Sequence, residues 1–362
     1  MLRKGHIALL AFVVAFGAVG AGAIAGMDRA AAPKDDSRGA ASEASRFMRG
    51  ETTAAFIRGF DAAVPFREKA VAWFASLRYD LFGEGYPGVL VGSDGWLFTT
   101  EEFEPSLSAR NGYLDGPAAD ALAAARDALA ERGIALVVAL VPAKARVYAD
   151  RLGAYALPDA IERRYRNALS TLAGLSISTI DLDAAFGAAR AEGPGPELFQ
   201  RSDTHWTPAG AAVAARAVAE GVGRLSVALP AMRVEAADAP ASEREGDLMA
   251  YLPKRGGARR PLPPPETLPG YDTFVDSGAG LFGAQEIPVA LVGTSYSAEP
   301  AWHFDGFLKR ELGTDVINLA SSGEGPFKTM AAAIAGGELE RNGVRLVVWE
   351  IPERYIDVEP GR

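Results

Sequence analysis

Apolar residues along this chain follow two rhythms. Between residues 117 and 182, and again from 288 to 349, short unbroken apolar runs alternate with longer segments whose apolar side chains recur every three or four positions. The run at 134–141 has strand length and no polar interruption, the pattern of a strand buried on both faces. Shorter strands are expected at 178–182, 288–293, 316–319 and 344–349. Helices are expected over 117–132, over 158–175 with Ile161, Tyr165, Leu169 and Leu172 on one face, over 209–222, over 302–312 and over 326–341. Strands alternating with helices predict an α/β domain: a parallel sheet flanked by helices on both faces, with ligands at the C-terminal ends of the strands.

Three stretches break this rhythm. The Ser93-Asp94-Gly95 turn between two apolar runs is a hairpin signal, which places the start of the folded domain near residue 82. Residues 229–282 show little periodicity and cluster Pro261, Pro263, Pro264 and Pro265, so they read as a loop-rich insertion. At the other end, Arg3 and Lys4 precede an uncharged run at 7–26, long enough to cross ~30 Å of hydrocarbon. The charge placement predicts a cytoplasmic N-terminus and a translocated remainder. An uncleaved anchor is the reading adopted; Ala21-Gly22-Ala23 and Ala23-Ile24-Ala25 would serve as cleavage sites in the alternative of a soluble exported protein. The layout is therefore 1–27 anchor or signal, 28–81 tether and two short helices (52–60 and 66–81), and 82–362 the main domain.

Composition narrows the chemistry. With 362 residues, 49% of them hydrophobic, the chain can bury a large core. A net charge of −9 argues against nucleic acid as a partner and means that an anionic substrate would need local basic residues. The absence of cysteine excludes disulfides, thiolate nucleophiles and cysteine-ligated metals. Three scattered histidines, with no H-E-x-x-H pair and no phosphate-loop motif, give no basis for a metal or other cofactor. A Gly278-Ala279-Gly280-Leu281-Phe282-Gly283 string matches G-x-G-x-x-G but lacks the strand–helix context that a dinucleotide site needs.

Of the histidines, His6 lies in the leader and His303 in a predicted helix, whereas His205 shares a loop with Asp203. Thr207 can cap the next helix, with Pro208 at its first position. A histidine near its ordinary pKa of ~6.5 can relay protons, and an aspartate can fix its tautomer; a helix-capping Asp-His pair is the alternative. The second candidate stretch is the strand ending in Gly293-Thr294-Ser295-Tyr296-Ser297, which would expose the Ser295 hydroxyl at the rim of the sheet beside backbone N–H groups. His205, Asp203 and Ser295 are thus candidate catalytic residues. The N–H groups of Ser295 and Gly323 are candidate oxyanion donors. Tyr296, Lys144, Arg146 and Arg354 are candidates for substrate binding, or for pairing with Glu350 and Glu353.

Taken together, Asp203-Thr204-His205-Trp206 followed by Thr207-Pro208-Ala209-Gly210, the Gly293–Ser297 turn, the hairpin at 88–98, Val141-Pro142-Ala143-Lys144-Ala145-Arg146 and the ending at 349–354 resemble the SGNH-hydrolase-like alginate O-acetyltransferases of the AlgJ/AlgX type, over residues 82–355. The chain stops too soon for the carbohydrate-binding domain of AlgX-like members and looks more like AlgJ. The resemblance implies a circularly permuted SGNH fold, which accounts for Asp-His preceding Ser, and the Ser295–His205–Asp203 triad. It implies a periplasmic enzyme that takes acetyl groups from a membrane-bound O-acyltransferase partner and places them on a polysaccharide acceptor. Thr294 replaces the aspartate of the wider Gly-Asp-Ser pattern, and Glu350 to Arg354 stand where an asparagine-bearing oxyanion block would be expected. An SGNH esterase or deacetylase, and a catalytically silent polysaccharide-binding subunit, are the rival readings.

Overall fold

A computed structural model describes residues 67–104, 116–254, 256–276 and 286–358. The expected anchor at 7–26, the helix at 52–60 and the Gly278–Gly283 string lie outside the described residues. No helix among the described residues is long and apolar enough to cross a membrane. The chain divides into two compact units, Met1–Leu81 with Pro253–Arg259, and Phe82–Leu252 with Arg260–Arg362. The first contains helix α1 (Arg67–Phe82), on which Trp73 and Phe74 are exposed. The second contains the central sheet.

That unit opens with a hairpin, β1 (Val89–Val91) against β2 (Leu97–Thr99), turned at Asp94 and Gly95, both with positive φ. Then come α2 (Pro117–Ala130), β3 (Ala135–Val141), the one-turn helix α3 (Lys144–Val147), α4 (Asp159–Gly174), β4 (Ser178–Asp181), α5 (Leu182–Ala191) and α6 (Pro208–Val222). After a ribbon of β5 (Arg233–Arg244) and β6 (Glu266–Asp276), the alternation resumes with β7 (Val289–Val292), the one-turn helix α7 (Ser295–Ala298), α8 (Phe304–Leu312) and β8 (Val316–Asn318). It ends with α9 (Gly325–Ala335), α10 (Glu338–Arg341) and β9 (Leu346–Pro352).

The central sheet has the order β4-β3-β9-β7-β8 with every pairing parallel. Alternate residues of its inner strands serve two separate cores. Val137, Ala139, Leu291 and Val348 face one layer, built with α5, α6 and α8; Val138, Leu140, Val292, Val347 and Trp349 face the other, built with α2, α4 and α9. This is why the inner strands read as unbroken apolar runs: both faces of the pleat are covered.

The structure corrects several expectations. Residues 229–282 are not loop-like throughout: β5 and β6 pair antiparallel from Arg233↔Asp276 to Arg244↔Glu266. Their side chains are mostly exposed, so no apolar alternation marks them. Pro240 falls where the register shifts between Ala239 and Ser242, so its missing N–H does not interrupt the paired ladder. The helix expected over 302–312 begins at Phe304, because His303 adopts a left-handed conformation (φ 54°) as its N-cap and hydrogen-bonds Thr273. The helix expected over 326–341 is two helices separated at Gly336 and Gly337. The loop carrying His205 does not follow a strand directly, since α5 intervenes.

Candidate active site

The turn after β7 is built around a carboxylate from the neighbouring strand. Glu350 of β9 is fully buried, and its Oε2 accepts from the Thr294 backbone N–H at 2.7 Å and from the Ser297 hydroxyl at 3.0 Å. The Thr294 hydroxyl donates to both carboxylate oxygens at 3.1 Å, and the Asn318 side-chain amide donates to the Ser297 carbonyl at 2.7 Å. A Cβ on Gly293 would stand 2.5 Å from Glu350 Oε2, so only glycine lets strand and carboxylate approach this closely. Burial pushes the Glu350 pKa up to about 6, against the pull of these donors, which leaves it ionised at neutral pH. Ser295 is the first residue of α7, and no acceptor within the protein engages its N–H among the described residues.

The Arg201–His205 loop is held from several directions. Phe199 bridges Trp206, and Gln200 N–H donates to His205 O at 3.1 Å, closing the loop at its neck. Inside it lies the Lys144 ammonium, donating to the carbonyls of Leu97 (2.6 Å), Arg201 (2.9 Å) and Asp203 (2.8 Å). Burial lowers the Lys144 pKa to about 8, opposed by the charges of Glu102 and Asp203, so at neutral pH it retains all three protons for these three acceptors. The Tyr296 hydroxyl donates to Thr204 O at 2.6 Å. Glu266 of β6 accepts from the N–H groups of Arg201 and Ser202, each at 3.1 Å. Asp247, just beyond β5, accepts from Thr204 N–H at 2.9 Å and Thr204 Oγ1 at 2.6 Å, and donates its own N–H to Asp203 Oδ2 at 3.0 Å. A Cβ on Gly246 would stand 2.1 Å from the Ser202 carbonyl oxygen, so a glycine there allows the two segments to touch.

These two scaffolds bring the three predicted residues into one chain of hydrogen bonds. Asp203 Oδ1 lies 2.6 Å from His205 Nδ1, and His205 Nε2 lies 2.7 Å from Ser295 Oγ. Burial would raise the Asp203 pKa, but the hydrogen bond and charge of His205, with the N–H groups of Asp247 and His205, hold it below the usual carboxylate value. The imidazole stacks on Trp302 (5.5 Å between centroids, 25° between planes), whose indole N–H donates to Ser295 O at 3.2 Å. Ligand-type atoms of Asp203, His205 and Asp247 lie within 4.8 Å of one another. Each of those groups already takes part in a hydrogen bond, so the cluster is arranged as a relay.

The residues singled out for substrate binding sit differently. Lys144 and Tyr296 are buried with their polar atoms bonded inside the protein. Arg146 is engaged by Glu353 (2.8 Å), Glu162 (3.2 Å) and the Ile161 carbonyl (2.6 Å). Arg354 is buried against the Tyr355 ring and donates to the Tyr296 hydroxyl at 3.3 Å. All four brace the site from behind. Gly323 lies in the exposed turn between β8 and α9, and nearby Ser321 N–H donates to Gly293 O at 3.2 Å. Sequence reasoning missed Asp247, Glu266 and Glu102, whose carboxylate accepts from the Lys144 and Ala145 N–H groups, each at 2.9 Å. In the sequence Glu350 stands out as a partner for a basic residue and as the start of the 350–354 stretch, not as the brace of the Ser295 turn. A single acid carries no periodic signal, and its partners here come from distant segments.

Comparison with known proteins places the chain in a family. Residues 89–353 match the SGNH hydrolase-like domain of the acetyltransferase AlgX family. The "Probable alginate O-acetylase AlgJ" of Azotobacter vinelandii is 36% identical over 315 residues, 85% of this chain and 80% of that protein. The solved O-acetyltransferase domain of Pseudomonas putida AlgJ superposes with a TM-score of 0.66 at 36% identity, covering 75% of this chain and 93% of that one. Pseudomonas aeruginosa AlgX follows with a TM-score of 0.59 at 25% identity, covering 78% and 65%. This chain therefore belongs to the SGNH hydrolase-like acetyltransferase family of AlgJ and AlgX.

Proposed function

We propose that the protein is an O-acetyltransferase that carries acetyl on Ser295 and delivers it to hydroxyls of an exopolysaccharide such as alginate. The observation that carries this reading is the unbroken Asp203–His205–Ser295 hydrogen-bond chain. His205 Nε2 takes the Ser295 proton as Oγ attacks the acetyl carbonyl, while Asp203 holds Nδ1–H and steadies the imidazolium. The oxyanion is met by the Ser295 N–H, which no acceptor among the described residues engages, and Gly323 N–H is the candidate for a second donor. The protonated His205 gives its proton to the donor's leaving group as that bond breaks. Neutral again, it accepts a proton from the sugar hydroxyl that attacks the acetyl-serine ester, and returns it to Ser295 Oγ as the ester bond breaks, which restores the free enzyme. The relatives' names support alginate as the acceptor polymer. The basic residues ahead of the apolar run at 7–26 support anchoring in the inner membrane with the catalytic domain in the periplasm, where a membrane-bound O-acyltransferase can supply acetyl.

The test uses the full chain, recovered from salt-washed inner membranes, with 4-nitrophenyl acetate as donor and oligouronate as acceptor. Intact mass should show one acetyl adduct, lost in Ser295→Ala and retained in Ser297→Ala, and acetyl should pass to the polymer in preference to water. Release of all acetyl as acetate despite saturating acceptor would make the protein an esterase. Recovery in the soluble fraction would overturn the anchor.

A further inference from the structure

The polar atoms of Lys144, Tyr296 and Arg146 are engaged in the protein's own bonds and Arg354 is buried, so none of the four presents a free cation to an anionic acceptor. The arginine placed for it is at the end of β5. The Arg244 guanidinium lies over the Trp302 indole, 5.1 Å from the ring centroid, and that same indole stacks on His205. Arg244 is therefore separated from the proton-relaying imidazole by one aromatic ring, within reach of neighbouring sugars on a chain whose hydroxyl is being acetylated.

Its position is fixed from both sides. Two residues on, Gly246 packs directly on Ser202, and Asp247 is bonded to Asp203 and Thr204, so the end of β5 is tied to the loop that carries His205. The side chain, by contrast, retains spare donors. Glu299 stands 3.5 Å from Nη1, outside good charge-assisted geometry, and 36% of the Arg244 side chain is exposed. Glu299 also caps the turn that presents Trp302, accepting from Ala301 N–H at 3.5 Å. A guanidinium carries its donors in a planar fork, the geometry that takes a carboxylate through two parallel bonds. In a protein of net charge −9, such a local cation is what allows a polyanion to approach the site.

We propose that Arg244 is the residue that recognises the acceptor, binding a uronate carboxylate of the polymer so that a nearby hydroxyl lies against His205 and acetyl-Ser295. This rests on the transferase reading for its purpose, but the binding can be measured without catalysis. Oligouronate is titrated calorimetrically into the full chain in detergent, alongside Arg244→Gln, Arg244→Lys and, as acceptor control, the carboxyl-reduced oligomer. Arg244→Gln should weaken oligouronate binding about tenfold, the loss of one charge-assisted bidentate contact. Arg244→Lys should fall between, since it retains charge without the planar fork, and the carboxyl-reduced oligomer should not distinguish wild type from Arg244→Gln. Circular dichroism and thermal unfolding of both variants should match the wild type, which shows that the fold is intact. Equal oligouronate binding by wild type and Arg244→Gln, including no binding by either, overturns the proposal. An Arg244-dependent affinity with no acetyl ever transferred leaves the carboxylate site standing and defeats the transferase reading instead.

Discussion

The two halves of the candidate site are built on opposite plans. The Ser295 turn is short, follows directly from a core strand, and is fixed mainly by one buried carboxylate, Glu350, on the adjacent strand. The His205 loop follows no strand and is fixed by groups from Lys144, Tyr296, Asp247 and Glu266, which come from four separate parts of the sequence. A nucleophile needs only a hydroxyl at the sheet rim, which a strand–turn–helix supplies almost by itself. A base must keep two ring nitrogens aligned at once, one on an acid and one on the nucleophile, and that alignment needs support from several directions.

The sharpest way to break this contrast is Asp203→Asn. Asp203 is not the exposed loop carboxylate that its sequence position suggests: it is buried and accepts from His205 N–H, His205 Nδ1 and Asp247 N–H. Asparagine would turn an N–H₂ group toward one of these donors. We expect turnover per folded molecule to fall by about 10⁴, together with a stability loss of about 1–3 kcal/mol. Single-turnover acetyl transfer and urea unfolding on the same preparation separate the two effects. Near-normal turnover would reduce Asp203 to a brace and end its catalytic role.

This division also marks what could be read in the sequence. The inner strands were visible because both their faces are buried, and the Thr207 cap with Pro208 located α6, since both signals are local. Ser295, His205 and Asp203 were visible for the same reason, each standing beside a strand end or a cap. The β5–β6 ribbon was not, because an exposed antiparallel pair needs no apolar alternation. Nor was the work of Lys144: whether a lysine binds a ligand or three backbone carbonyls depends on segments 47 to 59 residues away that nothing local announces. The resemblance to a family points to candidate residues, but not to what holds them in place.

Lys144→Met tests whether the base loop stands on that buried ammonium. The change strands the carbonyls of Leu97, Arg201 and Asp203 and removes one of the two cations beside Glu102, leaving Arg354 as the other. Removing one partner of a buried charged cluster costs about 3–5 kcal/mol. Hydrogen exchange should locate the damage: the amides of Gln200 and Thr204 lose protection, while those of Thr294 and Ser297, bonded to Glu350 and Thr294 O, do not. Uniform loss across both regions would mean that the two scaffolds are one cooperative unit.

Glu350→Gln has the smallest expected effect and addresses the other half. Because burial raises the folded pKa of Glu350 to about 6, above an ordinary glutamate near 4.3, folding favours its protonated form. The resulting stability is fully present below about pH 4.3 and is lost as pH rises through about 6; a gap of this size corresponds to about 2 kcal/mol. Glutamine cannot titrate, so the difference in unfolding free energy between wild type and variant should drift against the wild type by about that amount across this window and then level off. Above it, the ionised wild-type carboxylate accepts from Thr294 and Ser297 with charge assistance, whereas a glutamine oxygen accepts without it and its amide group must displace a donor. The variant's acetylation rate should therefore fall modestly at pH 7.5 and approach the wild-type rate near pH 5, where the native glutamate is itself protonated. Unfolding curves that stay parallel from pH 4 to 7.5 would show that Glu350 does not titrate in this range, and that the nucleophile turn is held as independently of pH as the lysine-braced loop opposite.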